Sequence, residues 1–189
     1  FRYLEKFEGF LRNSESAADA AVLFSIESKR FCENGSGGYS PGDFTASLKG
    51  AVKMMIESGI PFDVVDELNL ASLSSKYHLL IIPFAPQLSD RTVKAIAGFV
   101  KGGGCLVTCS ESAKKTEKIL GIRCNGFSDI SVEYITDMKE FLSEGVPNMP
   151  ILIKNAGKLP NMSRLNEAEA LAKKTLPPFE ATIQKHVYH

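Results

Sequence analysis

The sequence has no excess of either charge and no long hydrophobic run. Lysine plus arginine and aspartate plus glutamate both number 22, so the net charge is zero. A neutral chain offers no whole-protein attraction to nucleic acid or to an anionic membrane. No apolar run approaches the roughly 20 residues that a membrane helix needs. We therefore expect neither nucleic acid nor a membrane as a partner.

The few cysteines and histidines form no metal or disulfide pattern. No C-x-x-C pair occurs, and the histidines do not stand at zinc-ligand spacing, so we expect no structural metal. A disulfide framework is not expected in a chain this large and apolar, and free thiols favour a reducing compartment such as the cytoplasm. The residues concerned are Cys32, Cys105, Cys109, Cys124, His78, His186 and His189.

What the chain does have is the composition of a globular protein. Its 189 residues are 44% hydrophobic and 23% charged, which suits one α/β domain with a real core. No internal repeat or linker stands out, so we expect a single α/β domain over residues 1–189, with its core in residues 20–120. The chain begins at Phe1 rather than at Met, and we interpret it as a piece of a longer protein.

The apolar pattern predicts alternating strands and helices. An amphipathic helix over residues 1–13 comes first, and its apolar face is a candidate contact surface. Strands are expected at 20–25, 61–67, 73–84 and 105–110. Helices are expected at 44–58, with Asp43 as N-cap, and at 89–104, with Ser89 as N-cap and Gly102 at the end. The apolar face of the first helix consists of Phe1, Leu4, Phe7 and Leu11.

This β-α-β-β-α-β order predicts right-handed crossovers and a mostly parallel, doubly wound sheet of the flavodoxin-like kind. Beyond residue 112 we predict a short helix ending at Gly121 and further strands within 131–142 and 149–158. The segment 167–189 is expected to form a helix or strand followed by an extended tail, because Pro177-Pro178 bars regular structure there.

The cysteines are the first candidates for chemistry. A catalytic thiol needs a histidine or a helix N-terminus that favours its thiolate. Cys105 enters a strand rather than leaving one, and Cys109 four residues later points to the same face, so packing is the favoured interpretation. At the end of the third strand, where a nucleophile elbow would stand, residues 83–86 read Pro-Phe-Ala-Pro. This corner has no nucleophile.

The segment 26–42 is predicted to be a flexible, glycine-rich surface loop. Its Gly-Ser-Gly-Gly run at 35–38 lacks the context of a dinucleotide or phosphate loop, although a phosphate or flavin phosphate remains an alternative ligand. Glu27 and Arg30 beside it are the preferred contact surface. Acids also lie near predicted strand ends, but one sequence cannot tell whether two of them converge as glycoside hydrolysis requires. They are Glu27, Asp63, Asp66, Glu67 and Glu111.

Three segments together carry a family resemblance. AAVLFSIESKR (20–30), FTASLKGAVKMMIESGIPFDVVDE (44–67) and HLLIIPFAPQLSDRTVKAIAGFVKGGGCLVTCSES (78–112) resemble the trimerisation domain of family 42 β-galactosidases. The spacing of Ser25, Ser28 and Arg30 also favours this glycosidase group. The resemblance implies a fold like that of the class I glutamine amidotransferases. It also implies a module that follows a (β/α)₈ catalytic barrel and helps to assemble the oligomer.

The resemblance carries over no catalytic residue. Catalytic amidotransferases hold a cysteine at the third-strand elbow, where this chain has Phe84-Ala85. The leading prediction is therefore a non-catalytic accessory and oligomerisation domain of a β-galactosidase-like glycoside hydrolase. Its partners would be its own catalytic barrel and further copies of the chain, and no cofactor is expected. Two alternatives stay open: an amidotransferase-like hydrolase that uses Cys105 or Cys109, and a flavodoxin-like module that binds phosphate or flavin.

Overall fold

The chain forms two compact units, Phe1–Thr108 and Cys109–His189, in a computed structural model. The division into compact units does not test whether residues 1–189 form one domain, so that expectation stays a prediction. No helix in the described part of the chain is both long and apolar enough to cross a membrane. The structure describes residues 2–12, 14–72, 76–109, 111–128, 132–147, 149–154, 159–165 and 168–175.

A four-stranded parallel sheet organises the first unit. Its strands are β1 (Ala20–Leu23), β2 (Phe62–Val65), β3 (Leu79–Ile82) and β4 (Cys105–Thr108), in the order β2-β1-β3-β4. All four residues of β1 are buried, as expected of a central strand covered on both faces. The predicted α/β fold with a parallel sheet is confirmed.

Helices precede and connect the strands. Helix α1 (Arg2–Leu11) precedes β1, α2 (Ile26–Glu33) and α3 (Pro41–Glu57) lie between β1 and β2, and α4 (Asp90–Lys101) lies between β3 and β4. The predicted limits of α4 are confirmed, since Ser89 is its N-cap and Gly102 its C-cap. The predicted N-cap of α3 is wrong. Ser40 is the N-cap, and Asp43 is the third helical residue of a capping box, so the helix begins earlier than expected.

The predicted loop over residues 26–42 is also wrong in its first half. Residues Ile26–Glu33 form α2, a turn of 3-10 helix follows at Ser36–Gly38, and only short connections remain. The side chain of Ser25 accepts a hydrogen bond from the Ser28 amide and so caps α2. The helix is only eight residues long and mostly polar, and a glycine-rich run follows it, so the sequence favoured a loop.

The core of the first unit lies between the sheet and its helices. One cluster packs α3 against β1 and β3. After α4 the backbone of Gly104 packs directly against a ring, because a Cβ atom on Gly104 would stand 2.3 Å from the ring of Phe99. Phe99 is almost fully buried, so the chain can turn into β4 here only without a side chain. The α3 cluster consists of Ala20, Val22, Ala51, Met55 and Ile81.

The second unit is built of short helices and antiparallel strands. Strand β5 (Ile122–Ser128) pairs with β8 (Leu159–Arg164), and β6 (Val132–Thr136) lies between β7 (Ile151–Lys154) and β9 (Lys173–Thr175). The helices are α5 (Ser112–Lys115), α6 (Glu117–Leu120) and α7 (Glu140–Ser143).

Three predictions for this unit can be compared with its structure. The helix ending at Gly121 is confirmed, with that glycine at φ 66° as its C-cap. Strands lie within 131–142 and 149–158 as expected, whereas β5 and β8 were not predicted. The predicted tail after residue 175 lies outside the described residues. Across β6 and β9, the buried carboxylate of Glu133 pairs with Lys174 at 2.9 Å.

Candidate functional site

The carboxyl ends of β1, β2 and β3 form the edge of the sheet at which ligands bind in open α/β folds. We call this region the carboxyl edge and define it by residues 24–28, 66–67 and 83–89. Strand order reverses between β1 and β3, so a ligand crevice would open beside these two strands. The side chains present here decide whether the edge can bind anything.

Apolar side chains fill the corner after β3. Phe84 is buried, and its ring meets that of Tyr39 edge-on with centroids 5.4 Å apart. Phe44 and Cys32 are buried in the same cluster, and Phe24 packs against them. The corner at which a nucleophile elbow was considered in the sequence is therefore part of the hydrophobic core.

A carboxylate of the chain itself occupies the N-terminus of α2. Glu67, which follows β2, accepts hydrogen bonds from the Ser25 hydroxyl at 2.6 Å, the Ile26 amide at 2.9 Å and the Glu27 amide at 3.3 Å. A helix N-terminus carries free amides and partial positive charge, which favour an anion. Here the anion is Glu67, so the position that would take a phosphate is already filled.

A second carboxylate, that of Glu27, accepts hydrogen bonds at the start of α4. Glu27 accepts a hydrogen bond from the Ser89 amide at 2.6 Å and another from the Thr92 hydroxyl at 3.5 Å. The Ser28 hydroxyl donates to the Gln87 carbonyl at 2.5 Å. The first turn of α2 is thus tied both to β2 and to the start of α4.

These contacts explain the Ser25, Ser28 and Arg30 spacing noted in the sequence. Ser25 caps α2 and Ser28 holds the segment before α4, so both serines are structural. Arg30 lies exposed on α2, while the carboxylate of Glu27 points to α4. A contact role for Glu27 and Arg30 stays a prediction.

The glycine-rich connection after α2 is held by aromatic packing. Gly35, Gly37 and Gly38 all have positive φ, which favours glycine. A Cβ atom at Gly37 would stand 3.0 Å from the Tyr39 ring and 3.1 Å from the Phe31 ring. The glycines therefore let the chain turn tightly beside two rings.

Asp63 and Asp66, two further acids near the strand ends, accept hydrogen bonds from other residues of the chain. Asp63 accepts hydrogen bonds from Ser16 at 2.8 Å and from Lys76 and Tyr77 at 2.7 Å each, and these bonds lower its pKa to about 2. Asp66 accepts from the amides of residues 68 and 69 in the turn after β2. Glu111 is buried in the second unit. No group of three or more metal-ligating side chains occurs among the described residues.

The thiols do not share one environment. Burial raises the pKa of Cys32, and the negative charges of Asp43 and Glu33 raise it further. Cys109 is exposed by its accessible surface, although nearby protein atoms partly desolvate the thiol and raise its pKa. Cys105 is exposed on the edge strand β4. A raised pKa disfavours the reactive thiolate, and a catalytic role for Cys105 or Cys109 stays a prediction.

His78 lies beside Cys105, whose backbone amide donates a hydrogen bond to the His78 carbonyl at 2.7 Å, but the His78 ring is engaged by an acid. His78 bonds through Nδ1 to the Asp19 carboxylate, and that hydrogen bond, helped by the carboxylate charge, raises the pKa of His78. This pair lies at the amino ends of β1 and β3, away from the carboxyl edge. His186 and His189 lie outside the described residues.

Helix α1 presents an aromatic surface that sequence analysis found only in part. The rings of Tyr3 and Phe7 lie 4.8 Å apart and those of Phe7 and Phe10 lie 6.4 Å apart, and all three side chains are exposed. We call these three residues the aromatic ridge. Phe7 was predicted; Phe1 and the side chains of Leu4 and Leu11 lie outside the described residues. The spacing 3, 7, 10 was a readable helical signal for Tyr3 and Phe10.

Comparison with known proteins gives a family match over more than half of the chain. Residues 18–125 match the family described as the beta-galactosidase trimerisation domain. No curated protein matches the sequence. The matched range includes the whole parallel sheet and the carboxyl edge.

Solved structures share the fold at low identity. A β-galactosidase from Bacillus circulans sp. alkalophilus aligns with a TM-score of 0.74 and 16% identity over 95% of this chain and 28% of its own. A catalytic mutant of Gan42B, a GH42 β-galactosidase from G. stearothermophilus, gives 0.72 and 18% over 96% and 27%. α-L-Fucosidase isoenzyme 2 from Paenibacillus thiaminolyticus gives 0.68 and 21% over 100% and 27%. The chain thus spans little more than a quarter of each of these proteins.

Proposed function

The chain belongs to the β-galactosidase trimerisation domain family, and we propose that it is a non-catalytic oligomerisation module of a glycoside hydrolase. The observation that carries this proposal is the filled carboxyl edge. Phe84 takes the position of a nucleophile, and Glu67 takes the position of a bound anion. Because side chains of the chain itself occupy the edge at which this kind of fold usually binds ligands, we expect the outer surfaces to make the functional contacts.

We propose further that the first unit is flavodoxin-like and related to the class I glutamine amidotransferases. The strand order β2-β1-β3-β4 supports this, since flavodoxin-like sheets have the order 2-1-3-4-5. The corner after β3 lies at the same topological position as the amidotransferase elbow. In this chain the side chains at that corner would contribute to the hydrophobic core and would have no catalytic role.

The catalytic barrel of the parent protein would lie outside residues 1–189. A (β/α)₈ barrel takes about 250 residues, more than this chain contains. The chain matches about 27% of the length of two of its structural relatives, which leaves room in them for such a barrel. The parent activity would be cleavage of a β-galactoside or a related glycoside, by carboxylates that this chain does not supply.

The aromatic ridge of α1 is the proposed contact face, with Phe7 at its centre. Every described side chain of α1 is exposed, so the helix gains little from packing within the described chain. A helix of 10 residues is marginal in water without such packing. A partner surface on a neighbouring domain or subunit would supply it.

The mass of the chain in solution tests the proposal. Three copies of 20.6 kDa give about 62 kDa by light scattering, and Phe7→Lys should lower this mass. The matched control is Phe141→Lys on α7, another exposed phenylalanine outside the ridge, and it should keep the mass. A wild-type chain that remains at 20.6 kDa at every concentration would rule out self-assembly through this domain.

A further inference from the structure

Two Asn-Gly pairs occur in the chain, and the structure places them in different surroundings. They are Asn34-Gly35 at the end of α2 and Asn125-Gly126 within β5. In such a pair the backbone nitrogen of the glycine can attack the carbonyl carbon of the asparagine side chain, because no side chain on the glycine hinders the approach. The attack closes a ring within the chain, so its rate depends on how freely the two groups can meet.

Hydrogen bonds of the helix end hold the first pair. Asn34 is the C-cap of α2, and its backbone N–H donates to the carbonyls of Arg30 and Cys32. The N–H of Gly35 donates to the Cys32 carbonyl at 3.0 Å. The Gly35 nitrogen must lose its proton in order to attack, so this bond has to break first. Both residues of the pair are exposed, so any protection comes from the hydrogen bonds rather than from burial.

The second pair lies at the irregular point of a β ladder. The register of β5 against β8 shifts between Cys124 and Phe127, and Asn125 and Gly126 have no partner residue in the described pairing of these strands. Gly126 has φ 107°, a conformation that favours glycine. A Cβ atom built on Gly126 would meet nothing within 4 Å, so a small ring has space to form here. Both residues of this pair are also exposed.

A serine of the neighbouring strand contacts the group that would leave. The Nδ2 atom of Asn125 donates a hydrogen bond to the Ser163 hydroxyl at 3.0 Å. Ser163 is exposed, so ammonia released at this position can pass directly into water. The contact also suits the product, because the Ser163 O–H can donate to a carboxylate where its oxygen accepted from the amide.

We propose that Asn125-Gly126 is a site of spontaneous deamidation in the folded protein, a property that goes beyond the proposed oligomerisation function and does not depend on it. The Gly126 nitrogen loses its proton to water and bonds to Cγ of Asn125, and the side-chain nitrogen takes up a proton and leaves as ammonia. Water then opens the cyclic imide at either of its carbonyls. The products are aspartate, with the original main chain, and isoaspartate, in which the main chain runs through the former side chain. The net reaction consumes one water, releases one ammonia and leaves a carboxylate at neutral pH.

The other Asn-Gly pair supplies an internal control for the test. The full chain is incubated at mildly alkaline pH, and conversion at positions 34 and 125 is followed by peptide mapping with mass spectrometry. Labelling with an isoaspartate methyltransferase quantifies the isoaspartate. The same incubation in urea gives the reference rate of each pair, because only the local sequence acts in an unfolded chain. Folding should slow position 34 by about fivefold or more relative to position 125, the rate equivalent of one hydrogen bond that must break first.

The rates in the folded chain decide the outcome. Faster conversion at position 125 than at position 34 supports the proposal. Equal rates, faster conversion at position 34, or a position 125 that reacts in urea but not in the folded chain would overturn it. Isoelectric focusing of two matched variants at exposed positions gives a second readout. Asn125→Gln, whose longer side chain closes a ring less readily, should lose most of the acidic form that wild type accumulates, whereas Asn34→Gln should keep it. An acidic form that persists undiminished in Asn125→Gln arises elsewhere and also overturns the proposal.

Discussion

Removal of the Glu67 side chain tests the closed carboxyl edge directly. Its carboxylate accepts three hydrogen bonds from the first turn of α2 and its cap. In Glu67→Ala these groups lose a charged acceptor, and the O–H of Ser25, which is almost fully buried, is left with no acceptor while its oxygen still accepts from the Ser28 amide. In Glu67→Gln one oxygen acceptor remains but the negative charge at the helix N-terminus is lost.

The magnitude follows from these contacts. A charge at a helix N-terminus contributes about 0.3–1 kcal/mol, and up to about 2 kcal/mol where it is partly buried. Each buried donor left without an acceptor costs about 1–3 kcal/mol, although water can reach part of this site. We expect Glu67→Ala to lower the free energy of unfolding by about 2–4 kcal/mol and Glu67→Gln by about 1 kcal/mol.

Urea unfolding followed by circular dichroism measures the effect. The control is Glu57→Ala on α3, whose carboxylate is exposed and lies 3.6 Å from Lys53. An exposed pair of this kind contributes less than about 0.5 kcal/mol. A loss below about 0.5 kcal/mol for Glu67→Ala, equal to that of the control, would refute the view that this carboxylate replaces a bound anion.

Two other predictions concern stability. The folded-state pKa of Asp63 is lowered from 3.8 to about 2, so its bonds stabilise the fold above pH 3.8 and are lost as the pH falls towards 2. Asp63→Asn should remove about 1–2 kcal/mol at neutral pH and flatten the acid limb of the stability profile; an unchanged limb would contradict this assignment. Gly104→Ala should cost about 1–3 kcal/mol in thermal unfolding because of the contact with Phe99. Gly98→Ala, with open space around it in α4, should be neutral or stabilising, and equal effects of the two alanines would contradict the packing argument.

Local pattern was enough to predict the parallel sheet. The apolar run AAVL forms β1, and Ser89 and Gly102 cap α4. Buried strands and helix caps depend on residues that are adjacent in the sequence, so both could be predicted. The missing nucleophile at Phe84 was also readable, since only the residue type matters there. These features need no knowledge of distant contacts.

The features that were missed depend on distant residues. Helix α2 owes its start to Ser25 and to Glu67, about 40 residues away, and a glycine-rich run after it favoured a loop. The ridge on α1 is a different case, because the spacing of Tyr3, Phe7 and Phe10 could be read locally, but the 3.6-residue period also fits an overlapping face that was preferred. Strands β5 and β8 pair residues that lie 31 to 42 positions apart, from Ser128–Leu159 to Ile122–Arg164, and their pairing includes a register shift, which hides their alternation.

The two capping carboxylates explain how a ligand-binding architecture can become a structural one. In a parallel sheet the helices that follow the strands direct their N-termini to the carboxyl edge, where a bound phosphate commonly satisfies the free amides. In this chain Glu67 accepts hydrogen bonds from the amides of Ile26 and Glu27 in α2. Glu27, in the first turn of α2, accepts one from the amide of Ser89, the N-cap of α4. The start of α2 thus depends on the turn after β2, and the start of α4 depends on α2, so carboxylates of the chain take the place of a bound anion at both helices. Such an edge has little left to offer a substrate, so selection for function would act instead on the outer surfaces, where the aromatic ridge lies.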